Sequence, residues 1–517
     1  MIKKKLKISG QHLTLEQIAD FVSNGLGVDI SPEVQNNLTR ARRIVEDILK
    51  KDQPVYGINT GFGNFAEIQI KTSTVNELQR RLILSHAAGV GDPIERDIVR
   101  LIMLLKIQAL SLGFSGCRLE TVQLLQNMLN SNILPVIPEK GSVGASGDLA
   151  PLAHMALVMI GLGEAFTQNE KKKWKRLSGK KALASKNLTA LQFQAKEGLA
   201  VLNGTQVITA YGLYTLLHAQ QLCKTADIIG AMTLEALLGT LTPFDPRIQE
   251  VRNHPGQKIV AANIRKILAE SPIVDSHRHS RHKVQDAYSL RCIPQIHGAV
   301  RDCLNFIQDV LLREANGVTD NPLVFPDSGE VLSGGNFHGA PVGYSCDLMG
   351  IVLADLASLS ERRIEHMLDP AVSELPAFLV KEGGLNSGFM IAHVTAAALV
   401  SENKGLAYPS SVDSIPTSAN KEDHVSMGLH AARHAKKIAD HLTTILAIEL
   451  LCACQALEFR NPLKPAITTQ AVQDIVRKQV AHLTEDRLMQ TDIYAANNLI
   501  KSGIIIEVAE NTCGPLN

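Results

Sequence analysis

The sequence predicts a mainly α-helical protein, and three observations carry the prediction. Ala and Leu abound while aromatic residues make up only 4% of the 517 residues, a balance that favours helix packing over sheets. Beyond Gly198 the chain runs in long stretches with few breaks, near 208–240, 295–315, 343–368, 387–405 and 426–458. Most of these carry apolar residues at three-to-four spacing and few charges, so their helices are covered nearly all round, by neighbours or by other subunits. A soft boundary near residue 198 separates residues 1–198, a smaller N-terminal helical region, from residues 199–517, a central helical bundle.

Apolar residues form 45% of the chain, enough for a large core, and the formal net charge of +1 gives no argument for nucleic acid or an anionic membrane as partner. The eight cysteines are scattered, with no CxxC pair, which suits a reducing cytoplasm. Cys452 and Cys454 lie in an apolar helical run, as small buried residues do. The basic start, Met1 to Lys7, is followed by Gly10-Gln11-His12 rather than an apolar segment, so it does not read as a signal peptide. The most apolar runs, such as Ile98 to Leu112, contain Arg100, Lys106 and Gln108 and read as buried helices rather than membrane spans.

In chain order, residues 1 to about 55 read as a short strand and then helices, with starts at Leu13-Thr14-Leu15-Glu16 and Ser31-Pro32-Glu33. Val55 to Gly63 is a loop punctuated by glycines and carrying Tyr56. A helix through Gln79 to Leu84 ends at Ser85-His86, where a histidine commonly serves as a C-terminal cap. The basic run Glu170 to Arg176, with Trp174, reads as an exposed hairpin.

Between these lies Gly141-Ser142-Val143-Gly144-Ala145-Ser146-Gly147-Asp148-Leu149-Ala150-Pro151-Leu152. Pro151 opens an apolar helix, and Asp148 stands where a carboxylate caps free N–H groups. The plainest reading is a flexible Gly/Ser loop. A nucleophile elbow needs Gly two residues after the serine, where Asp148 stands, and a phosphate loop needs a Gly-Lys-Ser/Thr that does not follow. A fourth reading uses the triplet Ala145-Ser146-Gly147 itself. Without a side chain, Gly147 lets its backbone nitrogen approach the Ala145 carbonyl. Ring closure and loss of water from Ser146 then leave an exocyclic methylene, an electrophile that no ordinary side chain provides.

Four segments of the second half add polar groups. Asn203 sits in a break between helical stretches, a place that also suits a turn asparagine. Gln285, Tyr288 and Arg291 fall three apart and can share a helix face, where Arg offers a fork for a carboxylate. Upstream, His277-Arg278-His279-Ser280-Arg281-His282 invites a metal reading, but its arginines and Lys283 repel a cation, which favours a basic loop near an acidic substrate. Thr319 to Phe325 and Ser333 to Gly339, with Phe337, read as a loop or hairpin entering a helix, and Ser411 to Met427, with Glu422, is a polar loop ahead of a buried helix.

The stretch around Ser146 matches, position for position, the signature of the aromatic amino acid ammonia-lyases, and the other segments follow in that family's order over essentially the whole chain. The chain resembles that family and, within it, the members that act on histidine. The resemblance implies a long central helical bundle of the ammonia-lyase and fumarase-like type, with the N-terminal region carrying the loop of the cofactor. That cofactor is 4-methylidene-imidazol-5-one (MIO), formed from Ala145, Ser146 and Gly147, with no metal and no diffusible cofactor. It further implies Tyr56 as general base with Tyr288 beside it and Asn203 near the MIO. Arg291 would hold the substrate carboxylate, with Gln285 supporting, Phe337 and Met390 would line the pocket, and Glu422 would meet the imidazole or the amine. His86 separates the substrates, because relatives acting on tyrosine or phenylalanine carry a different pair at Ser85-His86. The implied reaction is elimination of ammonia from L-histidine to trans-urocanate, by a cytoplasmic homotetramer whose sites draw on several subunits. Lys421 and Tyr408 depart from the residues common there, Gln and His. The alternatives are a lyase or 2,3-aminomutase for another aromatic amino acid, and a non-catalytic helical scaffold. His86 argues against a phenylalanine or tyrosine lyase, and intact Tyr56, Asn203, Arg291 and Glu422 argue against the scaffold.

Overall fold

The computed structural model describes residues 4–51, 54–169, 171–278 and 284–517. The histidine-rich segment therefore falls partly outside the described residues, from His279 through Lys283, and Met1 to Lys3 and Glu170 are outside them as well. Helices dominate, and the long ones lie where the apolar periodicity places them: Gln206–Ala236, Ile293–Ala315, Ala340–Leu368, Met390–Leu406 and Gly428–Glu458. Ala340–Leu368 and Gly428–Glu458 are apolar and long enough to cross a membrane, yet 56% and 83% of their apolar windows lie inside the protein, as in core helices.

Contacts divide the chain into two compact units. One comprises 1–214, 308–347 and 410–433, the other 215–307, 348–409 and 434–517. The first unit holds the small sheets. Lys5–Ile8 pairs in parallel with Gly27–Ile30. The expected basic hairpin is there, Glu164–Gln168 against Trp174–Ser178, with Ile133–Pro135 as third antiparallel strand. Leu323–Phe325 and Glu330–Leu332 form a further hairpin. The expected helix starts are also present. Thr14 closes a capping box with Gln17 ahead of Leu15–Asn24, and Pro32 opens Pro32–Lys51. The apolar helix Arg96–Ser111 is buried from Ile98 onward. Arg100 and the Gln108 amide nitrogen are partnered: Arg100 donates to the Leu26 carbonyl at 2.6 Å and Gln108 Nε2 to the Gln11 carbonyl at 2.9 Å. A buried polar group is tolerated in a core on that condition.

The second unit is helical, and its buried carboxylates are hydrogen-bonded. Arg363 and Glu449 are both fully buried, with the guanidinium Nε 2.5 Å from one carboxylate oxygen. The same carboxylate accepts from Thr233 at 2.8 Å and from Ser360 at 2.5 Å. Such closure keeps a buried ion pair from being a net burden.

Candidate active site

The triplet loop joins strand Pro138–Lys140 to helix Leu149–Met159 and is pinned from two sides. On one side, Gly147 bridges to Gly204, and the Asp148 N–H donates to the Gly204 carbonyl at 2.8 Å. Gly147 has φ +68°, and a Cβ there would stand 2.1 Å from the Gly204 carbonyl oxygen. On the other side, the Met427 N–H donates to the Val143 carbonyl at 2.8 Å, and Ser426 Oγ donates to the Gly144 carbonyl at 3.2 Å. A Cβ on Gly144, whose φ is +73°, would fall 2.0 Å from Ser426 Oγ. Only glycine fits either position.

Asp148 caps a helix other than the one its sequence position suggests. It precedes Leu149–Met159 but makes no side-chain bond to that helix. Its carboxylate instead accepts from the Val207 and Ile208 N–H groups, both at 2.9 Å, at the start of Gln206–Ala236. It also accepts from Ser142 Oγ at 3.0 Å. Burial pushes the Asp148 carboxyl up to about 7 against these hydrogen bonds. Two helix N-termini thus start beside Gly147, and the positive ends of their dipoles favour negative charge there.

The triplet opens on a cavity of about 1070 Å³ whose wall includes Tyr56, His86, Ser146, Asn203, Phe337 and Glu422. Ser146 Oγ donates to Glu422 Oε1 at 3.2 Å. Thr417 and Ser418 hold the other Glu422 oxygen at 2.6 and 2.8 Å. Ser85 Oγ lies 3.0 Å from the Leu82 carbonyl and 2.9 Å from His86 Nδ1. The Ser85 hydroxyl is donor or acceptor to Nδ1 according to which ring nitrogen of the neutral His86 carries the proton. Burial lowers the His86 pKa, which keeps the ring neutral. Burial raises that of Tyr56; a Gly63 backbone hydrogen bond opposes the rise and the Glu422 charge adds to it. Lys421 also lines the cavity and is exposed.

The remaining expected residues lie in the second unit. Gln285 and Arg291 line a second cavity of about 720 Å³. The helix expected to carry Gln285, Tyr288 and Arg291 on one face is only Tyr288–Arg291, and Gln285 lies in the bend before it. Asp286 breaks the run: its buried carboxylate accepts from the Thr240 N–H at 2.8 Å and holds the backbone out of a helix. Arg291 stacks over the Tyr288 ring, 4.6 Å from its centroid, and Tyr288 is 69% exposed. Met390 opens Met390–Leu406, and Tyr408 is exposed beyond its end. Among the described residues no three His, Cys, Asp or Glu side chains converge as a metal-binding group.

The sequence model of the family described as aromatic amino acid lyase matches residues 13–478. The chain is 49% identical over 512 residues to the histidine ammonia-lyase of Natranaerobius thermophilus, covering 99% of this chain and 100% of that one. A crystal structure of histidine ammonia-lyase from Trypanosoma cruzi superposes with TM-score 0.90 at 42% identity, over 99% of this chain and 96% of that one. The tyrosine aminomutase of Streptomyces globisporus superposes with TM-score 0.92 at 34% identity, over 99% and 100%. The expected mainly helical, ammonia-lyase-type fold is thereby met, and the chain is a carbon–nitrogen lyase that belongs to the aromatic amino acid lyase family.

Proposed function

We propose that the chain eliminates ammonia from L-histidine to give trans-urocanate, the first step of histidine degradation. The observation that carries this reading is the pair of polar groups, His86 and Glu422, in the wall that also holds Ser146. An imidazole needs hydrogen-bonding partners at its edge, whereas a phenyl ring needs none. Relatives about half identical over their full length are histidine ammonia-lyases, which supports the same substrate here.

The triplet fits a cyclised cofactor. Gly144 and Gly147 leave no room for a side chain, and without one at Gly147 its backbone nitrogen can reach the Ala145 carbonyl carbon for ring closure. Closure releases one water, and loss of the Ser146 hydroxyl with its α-hydrogen releases a second. The MIO so formed supplies an electrophile that makes the α-amino group a competent leaving group. The neighbouring helix N-termini stabilise negative charge at that place. Tyr56 takes the β-proton, with Tyr288 beside it. Because burial holds the Tyr56 proton on in this chain, the base role needs cationic or N–H groups brought near it, and Arg291 from another subunit of a homotetramer is such a group. Arg291 pairs bidentately with the substrate carboxylate, Gln285 supports it, and Phe337 and Met390 shape the pocket. Asn203 stands near the electrophile. No metal or diffusible cofactor enters the scheme, and the cytoplasm is its compartment.

A second reading, a 2,3-aminomutase, is favoured by the close superposition on a tyrosine aminomutase. The deciding experiment mixes purified protein with L-histidine and follows the rise of the conjugated urocanate chromophore, with β-histidine assayed in parallel. Urocanate as the sole product supports the lyase; β-histidine as main product overturns it. Intact mass gives the companion prediction: the chain is lighter than its sequence by two waters, about 36 Da. Ser146→Ala assembles, forms no methylidene group at position 146 and loses most activity. An active wild-type chain of unmodified mass would rule the cofactor out.

A further inference from the structure

Behind the cavity wall lies a buried polar cluster without a role in the scheme above. Lys196 and Asp320 form an ion pair at 2.6 Å with side chains 0% and 5% exposed. The second Asp320 oxygen, Oδ1, accepts from the Asn321 N–H at 2.7 Å and from Asn203 Nδ2 at 3.3 Å. Asn203 Nδ2 also donates to the Asn321 carbonyl at 3.1 Å, and Lys106 Nζ donates to the Asn203 carbonyl at 2.5 Å. A salt-bridged carboxylate and a peptide carbonyl only accept, so the Asn203 atom facing them is its nitrogen, and the amide cannot be turned round. Both protons of Nδ2 are then in use. Asn203 Oδ1 is buried without a hydrogen-bond partner, in a residue that lines the cavity with Ser146. A buried acceptor left unpaired is costly, and a donor arriving in the cavity recovers that cost.

We propose that Asp320, itself held by Lys196, is a positioning residue for Asn203. It pins the amide nitrogen to the protein and so leaves the amide oxygen as acceptor for a donor of the bound amino acid, its α-amino group. The inference rests on the reading of Asn203 as a site residue. An asparagine at 320 could present either its oxygen or its NH2, and Asn203 could then rotate to the opposite polarity.

The test is a double-mutant cycle on the full-length enzyme with L-histidine, using Asn203→Ala and Asp320→Asn. Because Asp320→Asn strands the Lys196 charge, Lys196→Met/Asp320→Asn is measured beside it. Rates are divided by the fraction of chains two waters lighter by intact mass, and melting temperatures are recorded. The expected result is a loss of kcat/KM of about ten-fold or more on changing Asp320 when Asn203 is present, and less than about two-fold when it is alanine. Equal losses in both backgrounds would overturn the positioning role, since a structural defect does not depend on Asn203. Absence of cyclised chains in both Asp320 variants would also overturn it, placing the carboxylate in assembly of the site. An Asn203→Ala enzyme of undiminished kcat/KM would instead overturn the reading of Asn203 itself.

Discussion

His86 ends helix Val75–His86 with its ring toward the cavity and its Nδ1 held by Ser85. The sequence allows two uses for it, a helix cap and a contact to substrate, and they separate by experiment. A buried polar edge without a partner costs on the order of 1–3 kcal/mol, so His86→Leu is expected to lower kcat/KM for L-histidine by roughly ten- to a hundred-fold. It should also ease entry of phenyl and phenol rings. A variant that melts earlier but keeps its preference for histidine over tyrosine and phenylalanine would leave His86 as a cap only. Lys421→Gln belongs in the same substrate panel, because Lys421 lines the cavity with an exposed side chain and unaltered kinetics would remove it from the site. Residues of this kind were legible in the sequence because they stand at marked places: a histidine at a helix end, a serine in a loop punctuated by glycines, a glutamate in a polar loop ahead of a buried helix. Lys106, Lys196 and Asp320 were not. Lys106, within an apolar helix, carries no sign in one dimension that it will meet the Asn203 carbonyl, nor does Lys196 that a carboxylate more than a hundred residues away will match its charge.

At the scale of elements, the loop from Gly141 to Asp148 is held between the turn at Gly204 and the segment Val425–Gly428. Ala145, Val425 and Met427 share one small apolar cluster with Val143 packed on it. Gly144 is the tightest point of that junction. Gly144→Ala puts a Cβ against Ser426 at a positive φ, and overpacking with backbone strain is expected to cost about 1–3 kcal/mol. The variant should melt earlier and carry a smaller fraction of chains lacking two waters. Wild-type melting and complete cyclisation in Gly144→Ala would show that the junction is not under this constraint. The long helices were readable because their apolar period persists over many turns. The supposed helix through Gln285 was not, because spacing alone says nothing of the Thr240 N–H that draws Asp286 out of helical geometry. The same limit hid the partner of Asp148: a carboxylate before a helix reads as that helix's cap, and only the tertiary fold brings the start of Gln206–Ala236 within reach.

At the scale of the molecule, stability and assembly each give a prediction. In the second unit, His297 is fully buried, with Nδ1 2.8 Å from Asp227 and Nε2 3.4 Å from Arg363 Nη1. An arginine only donates, so Nε2 accepts and the ring is neutral, with its proton on Nδ1. Burial lowers the His297 pKa below the ordinary 6.5, Asp227 works against this, and Arg363 and Arg301 add to it. The unfolded chain therefore binds a proton below about pH 6.5 that the folded chain refuses, and this contribution to stability is present above that pH and lost as pH falls. The melting temperature of the wild type should drop more between pH 7.5 and 5.5 than that of His297→Asn; parallel slopes would exclude the histidine as the cause. Assembly bears on catalysis through where the site residues lie. Tyr56 and Ser146 line the cavity of the first unit, while Arg291 lines a cavity of the second, and Tyr288, Phe306, Tyr344 and Ile391 are large apolar side chains left exposed. If a homotetramer covers these side chains and composes each site from several subunits, two inactive variants can repair one another. Tyr56→Phe removes the proposed base, and Arg291→Lys keeps the charge but loses the proposed carboxylate fork, so each alone should be badly impaired. Co-expressed with different tags and purified as mixed assemblies, they are expected to regain about a quarter of wild-type activity, because random mixing gives that share of sites a native Tyr56 from one subunit and a native Arg291 from another. Hybrids no more active than the mean of the two parents would mean that both residues of a working site come from the same chain, or that Arg291 serves elsewhere; an Arg291→Lys enzyme with near-normal kcat/KM would decide for the latter.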